Sequence, residues 1–226
     1  MPIRLFIRLF LSYGAALRSG KPLALILLLL ATPLSAEPPT VLAFGDSLTH
    51  GYGLPRDQGF VPQLQRWLQG QGAEVTLIHA GVSGDTTAGG LARLDWSLSP
   101  AVDAMILALG GNDLLRGLDP SVSRANLDGM LQIASDRGIA VLLVGMQAPA
   151  NYGADYQAQF DAIYPELSAQ YETLYLPSFF AGLQQVETAD LPRYFQSDRI
   201  HPNAAGVAKV VEGIGPKVLQ LIEGLD

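Results

Sequence analysis

Residues 40–48 read TVLAFGDSL, a run of apolar residues followed by a glycine, an aspartate and a serine. The apolar part, 41–44, is continuous rather than alternating, which is typical of a strand buried on both faces of a parallel sheet. The glycine and the aspartate then turn the chain toward the start of a helix. The stretch therefore predicts a strand that delivers the Ser47 side chain to one edge of a sheet.

The same alternation of strand and helix continues along the chain. Further continuous apolar runs predict buried strands at 75–78, 104–109, 140–144 and 174–176. Helical periodicity predicts helices at 60–69, at 121–137, at 155–171 with an interruption near Pro165, and from Asn203, with a break or kink at Gly213, Gly215 and Pro216. Repeated strands and helices imply a mostly parallel sheet covered on both faces, a three-layer α/β/α architecture, in one domain over 37–226.

The first 36 residues carry four basic side chains and no acidic one. A dozen uncharged residues at 23–34, LALILLLLATPL, are too few for the roughly 18 to 20 apolar residues that span a bilayer. The small residues Ser35 and Ala36 precede a polar, proline-rich start at Glu37. This order predicts a secretory signal peptide at 1–36 that is cleaved after Ala36, with a retained amino-terminal anchor as the alternative, and hence an exported protein that is periplasmic or secreted.

Composition excludes several classes of function. The chain of 226 residues has a net charge of −7, which becomes −11 without the four positive charges of the leader, so nothing predicts binding to nucleic acid. The absence of cysteine excludes disulfides, thiolate metal sites and a cysteine nucleophile. Neither a phosphate-binding loop nor a dinucleotide fingerprint occurs, and the three histidines are scattered, so we expect no metal and no cofactor.

Polar or glycine-rich segments follow the predicted strands. Ligands of open α/β sheets bind outside the carboxyl ends of the strands, so these segments are expected to share one rim. The segments are 45–48, 81–85, 110–113 and 146–153, together with 198–202 before the last helix.

Three residues on this rim have the chemistry of a nucleophile, its base and an orienting acid. Ser47 supplies a hydroxyl and His201 a base, while Asp198, three residues earlier in a non-helical turn, can hold the imidazole by its Nδ1–H. Each has a plainer explanation when taken alone: Ser47 as a helix N-cap, and Asp198 with His201 as a surface pair. Pro202 is expected in the first turn of the last helix, which leaves His201 in the preceding loop.

Donors for a tetrahedral oxyanion are available on the same rim. They are the backbone N–H of Ser47, the backbone N–H of Gly84 and the side-chain amide of Asn112, although Asn112 could equally be a turn residue. The candidate substrate contacts on neighbouring rim loops are His50, Asn151 and Tyr152.

Taken together, these residues resemble the four sequence blocks of the SGNH hydrolase family. The run 44–48 resembles the GDSL block, Gly84 and Asn112 match the next two blocks, and 198–202 matches the fourth. Stretches at 83–94, 110–117 and 149–153 are similar to the branch of periplasmic multifunctional acyl-CoA thioesterase I, protease I and lysophospholipase L1 enzymes and related arylesterases. Two residues depart from that branch: Arg199 replaces a frequent glycine, and His79 replaces a frequent asparagine.

The resemblance implies a flavodoxin-like α/β/α fold and metal-free hydrolysis of acyl esters and thioesters through an acyl-enzyme on Ser47. Asp198 and His201 would complete the catalytic set, and the apolar segment 179–194 either lines an acyl pocket or packs in the core. The expected partner is a small-molecule acyl ester or thioester, processed by a monomer without stable membrane insertion. Two alternatives stay open: a carbohydrate O-acetylesterase on the same fold, and a non-catalytic acyl- or lipid-binding envelope protein.

Overall fold

Five parallel strands form a sheet in the part of the chain that the computed structural model describes, residues 37–225. The strands are β1 (Thr40–Gly45), β2 (Thr76–Gly81), β3 (Ala104–Ala108), β4 (Ala140–Val144) and β5 (Leu174–Leu176). Their order across the sheet is β2-β1-β3-β4-β5, and each neighbouring pair is parallel. The expected signal peptide at 1–36 lies outside the described residues, so it stays a prediction.

Helices alternate with these strands. α1 (Ser47–His50) and α2 (Phe60–Gly70) follow β1, α3 (Thr87–Ser97) follows β2, and α4 (Gly111–Leu115) and α5 (Pro120–Asp136) follow β3. α6 (Ala154–Gln170) follows β4, and α7 (Ala204–Glu223) follows β5. Short 3₁₀ turns occupy Arg56–Gln58, Ala150–Tyr152, Ala181–Leu183 and Leu191–Tyr194.

The helices cover both faces of the sheet. Strand order reverses after β2, so right-handed crossovers place α2, which links β1 to β2, on one face and α3, α5 and α6 on the other. The packing agrees with this assignment, because α2 contacts α7 whereas α5 contacts both α3 and α6. The predicted three-layer α/β/α architecture is therefore confirmed.

The burial of β2 differs from the prediction. The residues of β1 from Val41 onward and all residues of β3 are buried, as expected of central strands. β2 is an edge strand whose residues are exposed or half-buried. The apolar run at 75–78 correctly predicted a strand, but it did not predict that this strand lies at the edge of the sheet. Strand order depends on the whole chain rather than on the local sequence.

The interruption predicted near Pro165 is wrong, and so is the break predicted in the last helix, where the alternative of a kink stays a prediction. α6 continues through Pro165, and α7 continues through Pro216. A proline inside a helix removes one N–H···O hydrogen bond. The adjacent Tyr164 and Gly215 are buried, as are most large apolar side chains of both helices, and each large apolar side chain so buried contributes about 1.5–3 kcal/mol. Packing against the sheet therefore outweighs the lost hydrogen bonds.

Helix α3 has no counterpart in the sequence prediction. Gly89 and Gly90 lie in its first turn, and glycine disfavours a helix by about 1 kcal/mol relative to alanine. A side chain at Gly90 would collide with Leu109. Gly90 thus makes the helix hard to predict from the sequence, and the same residue lets the helix pack close to Leu109.

Tyr164 ties α6 to the carboxyl end of β3. Its side chain is fully buried, and its hydroxyl donates a hydrogen bond to the Leu109 carbonyl at 3.0 Å. Leu109 directly precedes the turn that leads into α4 and Asn112. The tyrosine therefore supports the turn that carries one of the candidate site residues.

Tyr164→Phe is expected to lower the free energy of unfolding by about 1–3 kcal/mol, because the buried Leu109 carbonyl would lose its donor. Urea denaturation measures this change. Tyr175→Phe is the matched control, since the half-buried Tyr175 hydroxyl donates to no acceptor within residues 37–225. Equal losses in the two variants would show that the hydrogen bond to Leu109 does not support the fold.

Candidate active site

Three side chains from distant parts of the chain meet at the carboxyl edge of the sheet. Ser47 Oγ lies 2.9 Å from His201 Nε2. On the other side of the imidazole, His201 Nδ1 lies 2.7 Å from Asp198 Oδ2. The structure thus brings together, in one hydrogen-bonded line, the residues that the sequence suggested as nucleophile, base and orienting acid.

Asp46, not Ser47, caps helix α1. Asp46 Oδ1 accepts a hydrogen bond from the Leu48 N–H at 2.9 Å, and Ser47 is the first helical residue. The simpler interpretation of Ser47 as an N-cap is therefore wrong. Because the aspartate performs the capping, the serine hydroxyl is left to interact with His201.

The turn 198–201 holds the imidazole from its own backbone. Asp198 Oδ1 accepts the N–H groups of Ile200 at 2.9 Å and His201 at 3.0 Å, so its Oδ2 faces the ring. The hydrogen bond from the His201 side chain, aided by these two backbone N–H groups, lowers the pKa of Asp198 to about 2. The carboxylate is therefore charged at neutral pH and stabilises the Nδ1–H tautomer of His201.

Helix α7 begins directly after this turn. Asn203 is the N-cap, and its Oδ1 accepts the N–H groups of Ala205 and Gly206, both at 3.0 Å. Pro202 therefore precedes the cap and does not occupy the first helical turn, which corrects the prediction. An asparagine side chain can satisfy two free N–H groups at this position, which a proline cannot. His201 lies in the loop, as expected.

Two residues that sequence reasoning missed support His201. The ring of Tyr52 packs against the imidazole with 4.7 Å between centroids. Gln196 Nε2 donates to the carbonyls of Tyr52 at 2.7 Å and Pro202 at 3.0 Å, which joins the loop after α1 to the histidine loop. The sequence contains a signal for Tyr52, because it is an aromatic residue only five positions after the candidate nucleophile Ser47. Nothing in the sequence indicates a role for Gln196.

Gly84 and Asn112 line the same cleft as Ser47. Asn112 Nδ2 donates to the Asp85 carbonyl at 2.9 Å and to Asp46 Oδ2 at 3.3 Å. The backbone N–H groups of Ser47 and Gly84 have no acceptor within the described residues. Ser47 follows β1 and Asn112 follows β3, so the cleft opens where the strand order reverses, the usual ligand position in such sheets.

Arg93 holds the loop that carries Gly84. Its Nε donates to Asp85 Oδ2 at 2.6 Å, and its terminal nitrogens donate to the carbonyls of Ala80 and Gly45, both at 3.0 Å. The guanidinium also stacks over the Phe44 ring, 3.9 Å from its centroid. A half-buried arginine thus fastens the loop to the ends of β1 and β2.

The candidate substrate contacts are not brought to the cleft. None of His50, Asn151 and Tyr152 is among the described residues that line it. His50 Nδ1 lies 2.7 Å from the Ser83 hydroxyl, and Tyr152 stacks on Tyr156 with 4.9 Å between ring centroids. Their loops do reach the site through other members, Ser83 beside His50 and Pro149 before Asn151.

The cleft beside Ser47 has a volume of about 830 Å³ and a largely apolar lining. The apolar side chains are Leu48, Leu114, Leu115, Met146, Pro149, Phe180, Leu183, Leu191, Phe195 and Ile200. Segment 179–194 contributes both to the core and to the cleft, because Phe179 is buried against Phe60 whereas Phe180 lines the cleft. Among residues 37–225, no group of three or more His, Asp or Glu side chains is placed to hold a metal ion.

Asp46 lies beneath the nucleophile and is only 2% exposed. Burial is the main cause that raises the pKa of its carboxyl from 3.8 to about 6, against the opposing hydrogen bond from the Leu48 N–H. Between these two pH values the folded protein holds a proton that the unfolded chain has released. Stability therefore falls as the pH rises through this window.

Comparisons with known proteins show the family of this chain. Residues 43–209 match the model of the GDSL-like Lipase/Acylhydrolase family. The chain is 38% identical over 209 residues to Esterase TesA of Pseudomonas aeruginosa, which covers 92% of this chain and 99% of that protein. It is 35% identical over 182 residues to Thioesterase 1/protease 1/lysophospholipase L1 of Escherichia coli, covering 80% and 84% of the two chains. The solved structure of AlinE4, an SGNH-hydrolase family esterase, shares 41% identity at a TM-score of 0.67 and covers 82% of this chain and 97% of its own.

Asp46→Asn is expected to remove the pH dependence that this carboxyl adds to stability. A pKa raised from 3.8 to about 6 corresponds to about 3 kcal/mol that the wild-type protein loses, relative to the variant, between about pH 4 and pH 7. Urea denaturation of both proteins at pH 4, 5, 6 and 7 measures the difference. A difference in unfolding free energy that stays constant over this range would contradict the expected burial effect.

Proposed function

The chain belongs to the GDSL-like Lipase/Acylhydrolase family, and we propose that it hydrolyses carboxylic esters and thioesters through an acyl-enzyme on Ser47. The hydrolase class predicted from the sequence is confirmed by this membership and by relatives named esterase, arylesterase and thioesterase/lysophospholipase. The observation that carries the catalytic assignment is the line Asp198–His201–Ser47, with contacts of 2.7 and 2.9 Å.

The first half of the reaction uses this line as a proton path. Ser47 Oγ attacks the carbonyl carbon while its proton passes to His201 Nε2, and Asp198 stabilises the imidazolium that forms. His201 then donates the proton to the leaving oxygen or sulfur as the carbonyl re-forms. In the second half, His201 takes a proton from water as the water attacks the acyl-enzyme. His201 then returns this proton to Ser47 Oγ as the bond between the acyl carbon and Oγ breaks and the carboxylic acid leaves.

Three donors would hold the oxyanion of each tetrahedral intermediate. The N–H groups of Ser47 and Gly84 are without acceptors in the described chain, so they are available to a substrate oxygen. The Asn112 amide is already engaged, and its 3.3 Å contact with Asp46 is longer than its 2.9 Å contact with the Asp85 carbonyl. The longer hydrogen bond is the one that a forming oxyanion would replace.

The apolar wall of the cleft favours acyl chains longer than acetyl. Phe180, Leu183 and Leu191 project from one segment into a space of about 830 Å³ that also contains the nucleophile. Burial of each methylene contributes about 0.8 kcal/mol, which a cleft of this kind can use and an acetyl group cannot offer. We therefore place the O-acetylesterase alternative second, and compare acetyl with octanoyl esters to decide between them.

Ser47→Ala is expected to lower kcat for a 4-nitrophenyl octanoate substrate on the order of 10⁶-fold, because Ser47 carries the hydroxyl that contacts His201. Asn112→Ala should cost about 10²–10³-fold, the effect of losing one oxyanion donor. Steady-state kinetics measures both. An organophosphonate should label Ser47 in the wild-type protein, as located by peptide mass spectrometry.

Ser83→Ala is the matched control. Ser83 lines the same cleft, but its hydroxyl contacts His50 rather than His201, so this variant should retain the phosphonate label on Ser47. A wild-type protein that hydrolyses no ester and takes up no label would favour the non-catalytic acyl-binding alternative.

We also propose that the protein is exported and acts as a monomer on small acyl esters and thioesters. One feature supports export: the basic, then apolar, then small-residue order of 1–36. No helix within residues 37–225 is long and apolar enough to cross a membrane.

Amino-terminal sequencing of protein recovered from a bacterial envelope fraction is expected to begin at Glu37, because the small residues Ser35 and Ala36 precede it. Ala36→Arg should block this processing, since a large charged side chain does not fit a signal-peptidase site. Recovery of the mature protein with its amino terminus at Met1 would contradict the proposed leader.

A further inference from the structure

Arg199 adopts a backbone conformation that favours glycine. Its φ is +60°, in the left-handed region where a side chain meets its own backbone. The residue sits inside the turn between Asp198 and His201, and its side chain is exposed where it lines the cleft. Within the described residues the guanidinium donates no hydrogen bond and forms no ion pair, so its donors are available to a ligand.

The charge of Arg199 is isolated within the cleft. Among the described residues that line it, Arg199 has the one permanent positive charge, and the other formal charge belongs to the buried Asp46. Arg116 lies on a neighbouring loop, where its guanidinium donates to the Gly84 carbonyl at 2.9 Å. The rest of the lining is neutral, so an anionic group that enters the cleft would find its partner at Arg199.

The position of Arg199 relative to His201 indicates which part of a substrate it meets. His201 must hand its proton to the leaving oxygen or sulfur, so the leaving group has to lie against the imidazole. Arg199 precedes His201 by two residues in the same turn. The apolar wall, by contrast, suits the acyl chain, because hydrocarbon gains from burial there and a charged group would lose its hydration.

We propose that Arg199 is a specificity residue that favours acyl thioesters and esters whose leaving group carries phosphate. This inference rests on the proposed hydrolysis at Ser47. The planar guanidinium offers paired donors that match two phosphate oxygens, which a neutral side chain cannot do. The phosphate can belong to a nucleotide-containing thiol such as coenzyme A or to a glycerophosphate headgroup, and the contact is the same in both.

Two substrate pairs test the proposal with the full mature protein. Octanoyl-coenzyme A and octanoyl-pantetheine share the acyl chain, the thioester and the adjoining thiol arm, but only the first carries phosphate. 1-Octanoylglycerol 3-phosphate and 1-octanoylglycerol form the corresponding ester pair. In each reaction the acyl C–S or C–O bond breaks, and water supplies the hydroxyl of octanoic acid and the proton of the leaving group.

Arg199→Gly removes the guanidinium and places at φ +60° the residue that best tolerates it. We expect the ratio of kcat/KM for the phosphate-bearing substrate to that for its neutral partner to fall about tenfold, mainly through KM, as for loss of one charge-assisted hydrogen bond. Arg199→Lys should retain part of the ratio, because it keeps the charge without the planar pair of donors. A fall in the thioester pair alone identifies the nucleotide thiol as the ligand source, and a fall in the ester pair alone identifies the glycerophosphate.

Arg193→Ala is the matched control, because this exposed arginine of the same segment pairs with Asp190 at 3.1 Å and does not line the cleft. Its ratios should equal those of the wild-type protein. Unchanged ratios in Arg199→Gly, with both members of each pair hydrolysed, would overturn the specificity role and leave the proposed hydrolysis standing. A wild-type protein inactive on all four substrates would overturn the proposed function and this inference with it.

Discussion

The close approach of chain segments at Gly45 is the constraint on which the site depends. A Cβ at this position would lie 2.7 Å from the Ala108 carbonyl oxygen and would collide with the Thr49 side chain. The Gly45 carbonyl accepts hydrogen bonds from the Val82 N–H and from Arg93, both at 3.0 Å, which joins the ends of the neighbouring segments to β1. Because glycine leaves room for this contact, α1 folds back directly after the strand. Ser47 is thereby placed at the ends of β1 and β3, where the strand order reverses, and the other rim loops lie around that point.

The histidine reaches the serine across 154 positions of sequence, and no single element holds it there. The turn 198–201 is closed by Asp198, its far end is capped by Asn203, and its outer side is joined to the loop after α1 by Gln196. Tyr52 from that same loop packs on the imidazole. The base is therefore located by contacts from the segment that carries the nucleophile as well as from its own. Such mutual support fixes the separation between Ser47 Oγ and His201 Nε2, which neither loop alone would hold constant.

The local sequence pattern predicted those strands, helices and site residues that depend mainly on residues close to one another in the chain. Buried strands such as 41–44 and helices such as 60–69 follow from the spacing of apolar residues, and the candidate nucleophile, base and acid follow from polar residues at strand ends. The exposure of β2 depends on its place at the edge of the sheet. The formation of α3 depends on how closely the helix face that carries Gly90 can approach Leu109. Both features depend on the assembled sheet, so the local sequence does not predict them. The same holds for the cleft. His50 and Tyr152 occupy the right loops, but the direction of a side chain on a loop is set by packing that the sequence does not display, so their neighbours line the cleft instead.

The two carboxyl groups near Ser47 lie in opposite environments, because Asp198 is exposed whereas Asp46 is buried. This difference in burial determines how readily each group holds a negative charge. Asp198 is exposed and accepts three hydrogen bonds, so its charge persists and, in the proposed reaction, would stabilise the imidazolium of His201. Asp46 is buried, and its raised pKa means that its charge at neutral pH is held against a desolvation cost. That charge attracts the Asn112 amide but also opposes a second negative charge on a nearby substrate oxygen. A short hydrogen bond from Asn112 to Asp46 would deny the amide to the oxyanion of the proposed reaction. The observed contact of 3.3 Å is long for a hydrogen bond to a carboxylate, so in that reaction the buried acid would orient the amide without retaining it.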